Sequence, residues 1–171
     1  RIPGIDVQVS EGDLYEFGMT KVKVIEVPGH TSGHIAYYFE EDDVAFVGDT
    51  LFALGCGRLF EGTAEQMWVS LEKLMALPDA TTVYCAHEYT QANAAFAITV
   101  EPDNLALQAR IEEIAKLRSQ GIPTVPTSIS LERATNPFVR ATSADLQSTI
   151  GLSGADPVAV FAETRKRKDH F

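Results

Sequence analysis

Pro28-Gly29-His30-Thr31-Ser32-Gly33-His34 is the stretch on which the rest of the chain depends, and Val47-Gly48-Asp49-Thr50 answers it. The apolar run Val22 to Val27 leads directly into it. Alternation and β-branching make that run a strand, and Pro28-Gly29 closes it with a turn. His30 is thereby set at the exit of a buried strand, on a loop that a rigid scaffold can aim. Two further strands, Ile35 to Phe39 and Val44 to Val47, deliver Asp49 in the same manner. Another, Thr82 to Cys85, delivers His87 within Ala86-His87-Glu88-Tyr89. Taken alone, each of these residues is more often a hydrogen-bonded structural group than a ligand. Three strand exits carrying His, Asp and His together suit a borderline divalent metal such as zinc. His34 opens a strand instead of closing one and reads as structural, orienting the loop.

Around this centre, 171 residues allow one domain or one and a half. Hydrophobic residues make up 45% and charged residues 22%, so most of the chain should fold. The apolar runs are far short of a membrane span, and no partner membrane is expected. No basic start followed by an apolar stretch marks a signal peptide, although Arg1-Ile2-Pro3 lacks an initiator Met. Two cysteines, Cys56 and Cys85, are too few for a disulfide framework; reduced thiols in the cytoplasm are the simplest reading. A net charge of −10 disfavours nucleic acid as a partner. Against that background Arg165-Lys166-Arg167-Lys168 is a local basic cluster, which either complements a helix C-terminus or forms an anion site.

Residues 1 to 27 read as two short strands around the polar turn Glu11-Gly12-Asp13, with a further break at Gly18. After Asp49, glycines 55, 57 and 62 punctuate a loop whose backbone can approach a ligand closely. Thr63-Ala64-Glu65-Gln66 is a capping box. The helix behind it puts Met67, Leu71, Leu74 and Met75 on one face, leaves Trp68 to pack against a neighbouring element, and stops before Pro78. Beyond Tyr89 strand signals end. Thr90 to Val100 and Asp103 to Ser119 read as helices, the second with Leu107, Ile111 and Ile114 inward and ended at Gly121. Residues 122 to 142 read as a Pro/Thr/Ser-rich connection containing Asn136-Pro137-Phe138. Asp156-Pro157 starts a last helix, with Asp as N-cap and Pro in the first turn. The division expected is an α/β part over 1–88 and a helical part over 89–171.

These residues resemble a known family. His30-Thr31-Ser32-Gly33-His34, Gly48-Asp49-Thr50-Leu51-Phe52, Gly55-Cys56-Gly57-Arg58, Phe60-Glu61-Gly62-Thr63, His87-Glu88-Tyr89-Thr90, Asn136-Pro137-Phe138 and Lys168-Asp169-His170-Phe171 are similar, in order, to glyoxalase II, the hydroxyacylglutathione hydrolases. The resemblance implies an α+β fold: the second half of a metallo-β-lactamase αββα sandwich followed by a C-terminal helical domain. It implies a binuclear site of two divalent metal ions, zinc first and iron or manganese as alternatives. His30 would serve one ion, His87 the other, and Asp49 would bridge them. A hydroxide between the metals would attack the thioester of glutathione with a 2-hydroxy acid such as lactate, a step of methylglyoxal detoxification. The glycine carboxylate of glutathione would be held by Arg58, Tyr89, Arg165 and Lys168. The last two lie three apart, on one helix face, whereas Lys166 and Arg167 fall elsewhere and read as solvated. Phe60 stands where many relatives carry Tyr, so one hydroxyl contact is lost.

The family's Thr-His-x-His-x-Asp-His motif is absent, since the only histidines are 30, 34, 87 and 170. His30, Asp49 and His87 alone give each ion too few protein ligands. The expectation is that the intact enzyme is a monomeric thioester hydrolase, and that this chain alone is inactive and self-associates through an uncovered sheet face. The alternatives are another hydrolase or a persulfide dioxygenase on the same fold, or a non-catalytic glutathione-binding fragment.

Overall fold

The computed structural model describes residues 3–171, so the reading of the Arg1-Ile2 start lies outside the described residues. Strands β1 (Leu14–Phe17), β2 (Thr20–Glu26), β3 (Ile35–Phe39) and β4 (Val44–Gly48) form an antiparallel meander. Helix α1 (Ala64–Met75) then crosses over so that β7 (Thr82–Cys85) lies parallel to β4, as a strand–helix–strand unit requires. A short strand, β8 (Thr127–Ser128), pairs with β7 and completes a six-stranded sheet of order β1-β2-β3-β4-β7-β8. Between Asp49 and α1 a tight hairpin, β5 (Leu51–Phe52) and β6 (Gly55–Cys56), stands apart from this sheet.

Helices α2 (Thr90–Val100), α3 (Leu105–Ser119), α4 (Ile129–Thr135), α5 (Ala144–Ile150) and α6 (Pro157–Asp169) make up the rest. The metallo-β-lactamase-type α/β layer followed by a helical region is the fold class expected. Two local readings need correction. The first two strands flank Gly18, and no strand precedes Glu11 among the described residues; Gly12 and Asp13 instead bond along Val24. The stretch 122–142 is not merely a connection, because it contains β8, α4 and a 3₁₀ turn at Pro137–Val139.

The sheet alternates. Ala36, Tyr38, Ala45, Val47 and Val83 point inward to Met67, Leu71 and Leu74 of α1 and to Ile129, Phe138 and Phe161. The capping box of α1 is present in full, with Thr63 accepting from the Gln66 amide and Gln66 from that of Thr63. Trp68 lies against Phe161 of α6, with ring centroids 6.2 Å apart. A second core cluster joins Leu54, at the tip of the hairpin, to Ala94, Ala97, Leu107 and Ile114 of α2 and α3. The opposite sheet face carries Tyr15, Phe17, Tyr37, Phe39 and Phe46, which line a shallow apolar hollow of about 430 Å³ with Val7, Val9 and Val22.

Candidate functional site

His30, Asp49, His87, Arg58, Tyr89, Arg165 and Lys168 all line one cavity of about 650 Å³, where the strand exits of the sheet meet α6. The loop after β2 is laced to the loop after β6. The Gly62 amide donates to the Gly29 carbonyl, the Phe60 amide to the His30 carbonyl, and the Ser32 amide to Glu61 Oε2 at 2.7 Å. His30 Nδ1 donates to the Arg58 carbonyl at 2.8 Å, which fixes the ring and leaves Nε2 as its free lone-pair nitrogen. The Phe60 ring sits 4.9 Å from the His30 ring.

Asp49 follows Gly48, whose φ of +54° places it in the left-handed region. Its amide donates to Nε2 of His34 at 3.0 Å, so His34 does orient a loop, and the loop is that of Asp49. That bond needs the neutral imidazole, and burial of His34 lowers its proton affinity below the ordinary value. Asp49 Oδ1 lies 3.2 Å from His87 Nε2. His87 stacks on Tyr89, centroids 5.2 Å apart and planes 20° from parallel.

The cationic wall is more committed than its spacing suggests. Arg165 is buried, with its guanidinium over the Phe138 ring; Nη1 donates to the Cys56 carbonyl at 3.0 Å, and Nε and Nη2 reach Asp169 Oδ1 at 3.1 and 2.9 Å. Arg58 is largely exposed and stands 3.9 Å from the same Asp169 oxygen. Lys168 donates to the Ala92 carbonyl and lies over the rings of Phe96 and Phe171; burial, then the neighbouring Arg165 and Arg58, lower its proton affinity. Arg167 is not simply solvated, because it pairs with Glu163 and donates to the Ile150 carbonyl. Cys56 lies beside Arg165, but burial pushes its thiol up to about 11, so it is no thiolate nucleophile at neutral pH.

Asp169, Asn93 and Phe171 also line the cavity and were missed from the sequence. Asp169 had a signal: it sits four residues after Arg165, the spacing of a helical ion pair.

His30, Asp49 and His87 are donors of the right type for a divalent metal. Among the described residues, however, no three His, Cys, Asp or Glu side chains converge closely enough to hold an ion. The residues present therefore do not by themselves complete a metal centre. The geometry here is nonetheless tight. A Cβ on Gly57 would collide with the Asp49 carbonyl and stand 3.1 Å from His30 Nδ1. Gly57→Ala should cost about 1–3 kcal/mol of stability and displace the imidazole signal of His30 in NMR spectra. An unshifted His30 resonance would show that the loop accommodates the methyl group.

Residues 1–87 match the family model of the metallo-beta-lactamase superfamily, and residues 88–171 that of the hydroxyacylglutathione hydrolase C-terminus. Over all 171 residues the chain is 58% identical to the hydroxyacylglutathione hydrolases of Methylococcus capsulatus and of Rhodospirillum rubrum, covering 67% of each. Among solved structures, ETHE1 from Myxococcus xanthus superposes with a TM-score of 0.58 at 26% identity, over 97% of this chain and 61% of that one. The di-iron-bound form of TTHA1623 superposes with a TM-score of 0.52 at 27% identity, over 80% and 50%. The chain thus spans about two-thirds of the length of its curated relatives, and it belongs to the hydroxyacylglutathione hydrolase family of the metallo-β-lactamase superfamily.

Proposed function

We propose that this chain forms the thiol-recognition part, and three of the metal donors, of a hydrolase that cleaves the thioester of glutathione with a 2-hydroxy acid such as lactate. The observation that carries the proposal is a single cavity lined both by His30, Asp49 and His87 and by Arg58, Lys168 and Tyr89. Residues 1–88 supply the donors, and residues 89–171 supply most of the anion-binding wall. With the remaining donors in place, His30 would help hold one ion, His87 the second, and Asp49 both, and the ions would supply the attacking hydroxide. Imidazole and carboxylate donors accept zinc, which we infer, and also the alternatives iron and manganese. The donors beyond these three come from the part of the relatives that this chain does not span. The intact enzyme works as a monomer in the cytoplasm, a compartment that suits the two unpaired thiols, Cys56 and Cys85.

The chain's own groups bind and orient. Arg58 and Lys168 attract the glycine carboxylate of glutathione, Tyr89 offers its hydroxyl, and Arg165 holds the Cys56 carbonyl and so the loop from which Arg58 projects. Phe60 offers an apolar surface in place of a hydroxyl.

Calorimetric titration of the chain with glutathione tests this. Arg58→Ala and Lys168→Ala should each weaken binding about five- to thirtyfold, the worth of one charged hydrogen bond. The isolated chain should bind without hydrolysing lactoylglutathione. Unchanged affinity in both variants would remove the anion-site reading, and turnover by the isolated chain would show that the present donors suffice.

A further inference from the structure

The hairpin β5–β6 is held by the helical region, atom by atom. Asn136 Nδ2 donates to the Phe52 carbonyl at 3.2 Å, the Gly55 carbonyl at 3.0 Å and Glu132 Oε2 at 2.8 Å. Glu132 Oε2 also accepts the Leu54 amide at 2.9 Å. Asn93 Nδ2 donates to the Ala53 carbonyl at 3.0 Å. Glu132, Asn136 and Leu54 are fully buried, so water cannot replace any of these bonds. Leu54 adopts φ +60°, a conformation that non-glycine residues rarely take. It is kept there by its bond to Glu132 and by the side chains of α2 and α3 around it.

The two ends of this hairpin are the site. Asp49 precedes β5; Gly57 and Arg58 follow β6, and the Arg58 carbonyl orients His30. The Gly57 amide closes the base of the hairpin on the Thr50 carbonyl. Moving the hairpin therefore moves Asp49, Arg58 and the His30 ring together.

We propose that Asn136, set by Glu132, is a positioning residue of this site: by clamping the β5–β6 hairpin it keeps Asp49, His30 and Arg58 in register. The helical region then governs the donor geometry as well as the recognition of the thiol. Asn136 does not itself line the cavity and acts through the hairpin backbone, at the Phe52 and Gly55 carbonyls. The inference rests on the reading of the cavity as the site.

Asn136→Asp in the full chain is the sharpest test, because it keeps the shape and turns a donor into an acceptor facing three oxygens. The expected result is a shift of the Gly57 amide and His30 imidazole resonances and at least about tenfold weaker glutathione binding. The Val83 amide, in the centre of the sheet, should stay in place. Leu74→Ala, buried in the last turn of α1 and bonded to no hairpin atom through its side chain, controls for lost stability and should leave Gly57 and His30 unmoved. If Asn136→Asp does not fold, Asn93→Ala, whose hydrogen bond to the hairpin is the one to the Ala53 carbonyl, should shift the same resonances by a smaller amount. A folded Asn136→Asp with unmoved Gly57 and His30 signals overturns the proposal, as does an unshifted Asn93→Ala where only that variant folds. Failure of the unmodified chain to bind glutathione would instead overturn the function proposed above, and the resonances alone would then decide this inference.

Discussion

Arg110→Ala should lower the melting temperature of this chain by about 10 °C, measured by scanning calorimetry. Arg110 on α3 is buried, and its guanidinium donates to Glu132 Oε1 at 2.6 Å, Thr127 Oγ1 at 2.9 Å and Thr135 Oγ1 at 2.5 Å. Glu132 is fully enclosed, and apart from Arg110 it is bonded to a hydroxyl, a side-chain amide and a backbone amide. Truncating the arginine leaves that carboxylate without its counter-charge, a loss of about 3–5 kcal/mol when one member of a buried pair is removed. For a chain of this size each kcal/mol moves the midpoint by about 2–4 °C. The pair is not itself a large source of stability, because desolvation offsets most of its attraction. Arg110→Met combined with Glu132→Gln should therefore recover more than half of the loss. A melting temperature for Arg110→Ala within about 2 °C of the unmodified chain would mean that water reaches Glu132 and that the network is not closed.

That network also marks where the sequence stops being readable. The exits carrying His30, Asp49 and His87 were legible because each ends a short alternating strand, and β3, β4 and β7 fall within a residue of the stretches expected. Helix α1 announced itself through Thr63 and Gln66, and α6 through Asp156-Pro157. Helix α4 was not legible, since seven residues with Ile129, Glu132 and Thr135 buried give no apolar stripe. Its buried face is polar because it serves the hairpin, and that purpose has no local signature. The bonds from Asn136 to Phe52 and Gly55 span 84 and 81 residues. Asn136-Pro137-Phe138 could be seen as a motif, but its target could not. The same holds for Arg165, which by spacing alone faces the cavity but in the structure is largely taken up by Asp169 and Cys56.

The outer face of the sheet should make this chain associate in solution. β1, β3, β4 and β7 present aromatic rings on the side away from the helices. Phe17 meets Phe39 at 6.4 Å between centroids, Phe39 meets Phe46 at 5.6 Å, and Phe46 stacks on Tyr84 at 5.2 Å. Phe17 remains 66% exposed, Phe46 45% and Tyr84 41%, although these rings form a continuous row. Isolated apolar side chains are ordinary on a protein surface, but a contiguous row across four strands is not. Edge strand β1 adds unpaired backbone groups beside it. Sedimentation velocity should show a coefficient that rises with protein concentration. Replacing Phe17 or Phe46 by Lys should weaken association by about thirtyfold each, the effect of losing one central aromatic anchor. Because Phe17 is two-thirds exposed and Phe46 nearly half, the melting temperature measured at low concentration should barely change. The remaining third of a relative's chain, supplied in trans, should compete with self-association by docking on the same face. A concentration-independent monomer, unaffected by either lysine, would mean that the row of rings is tolerated in water and that the uncovered face plays no part in assembly.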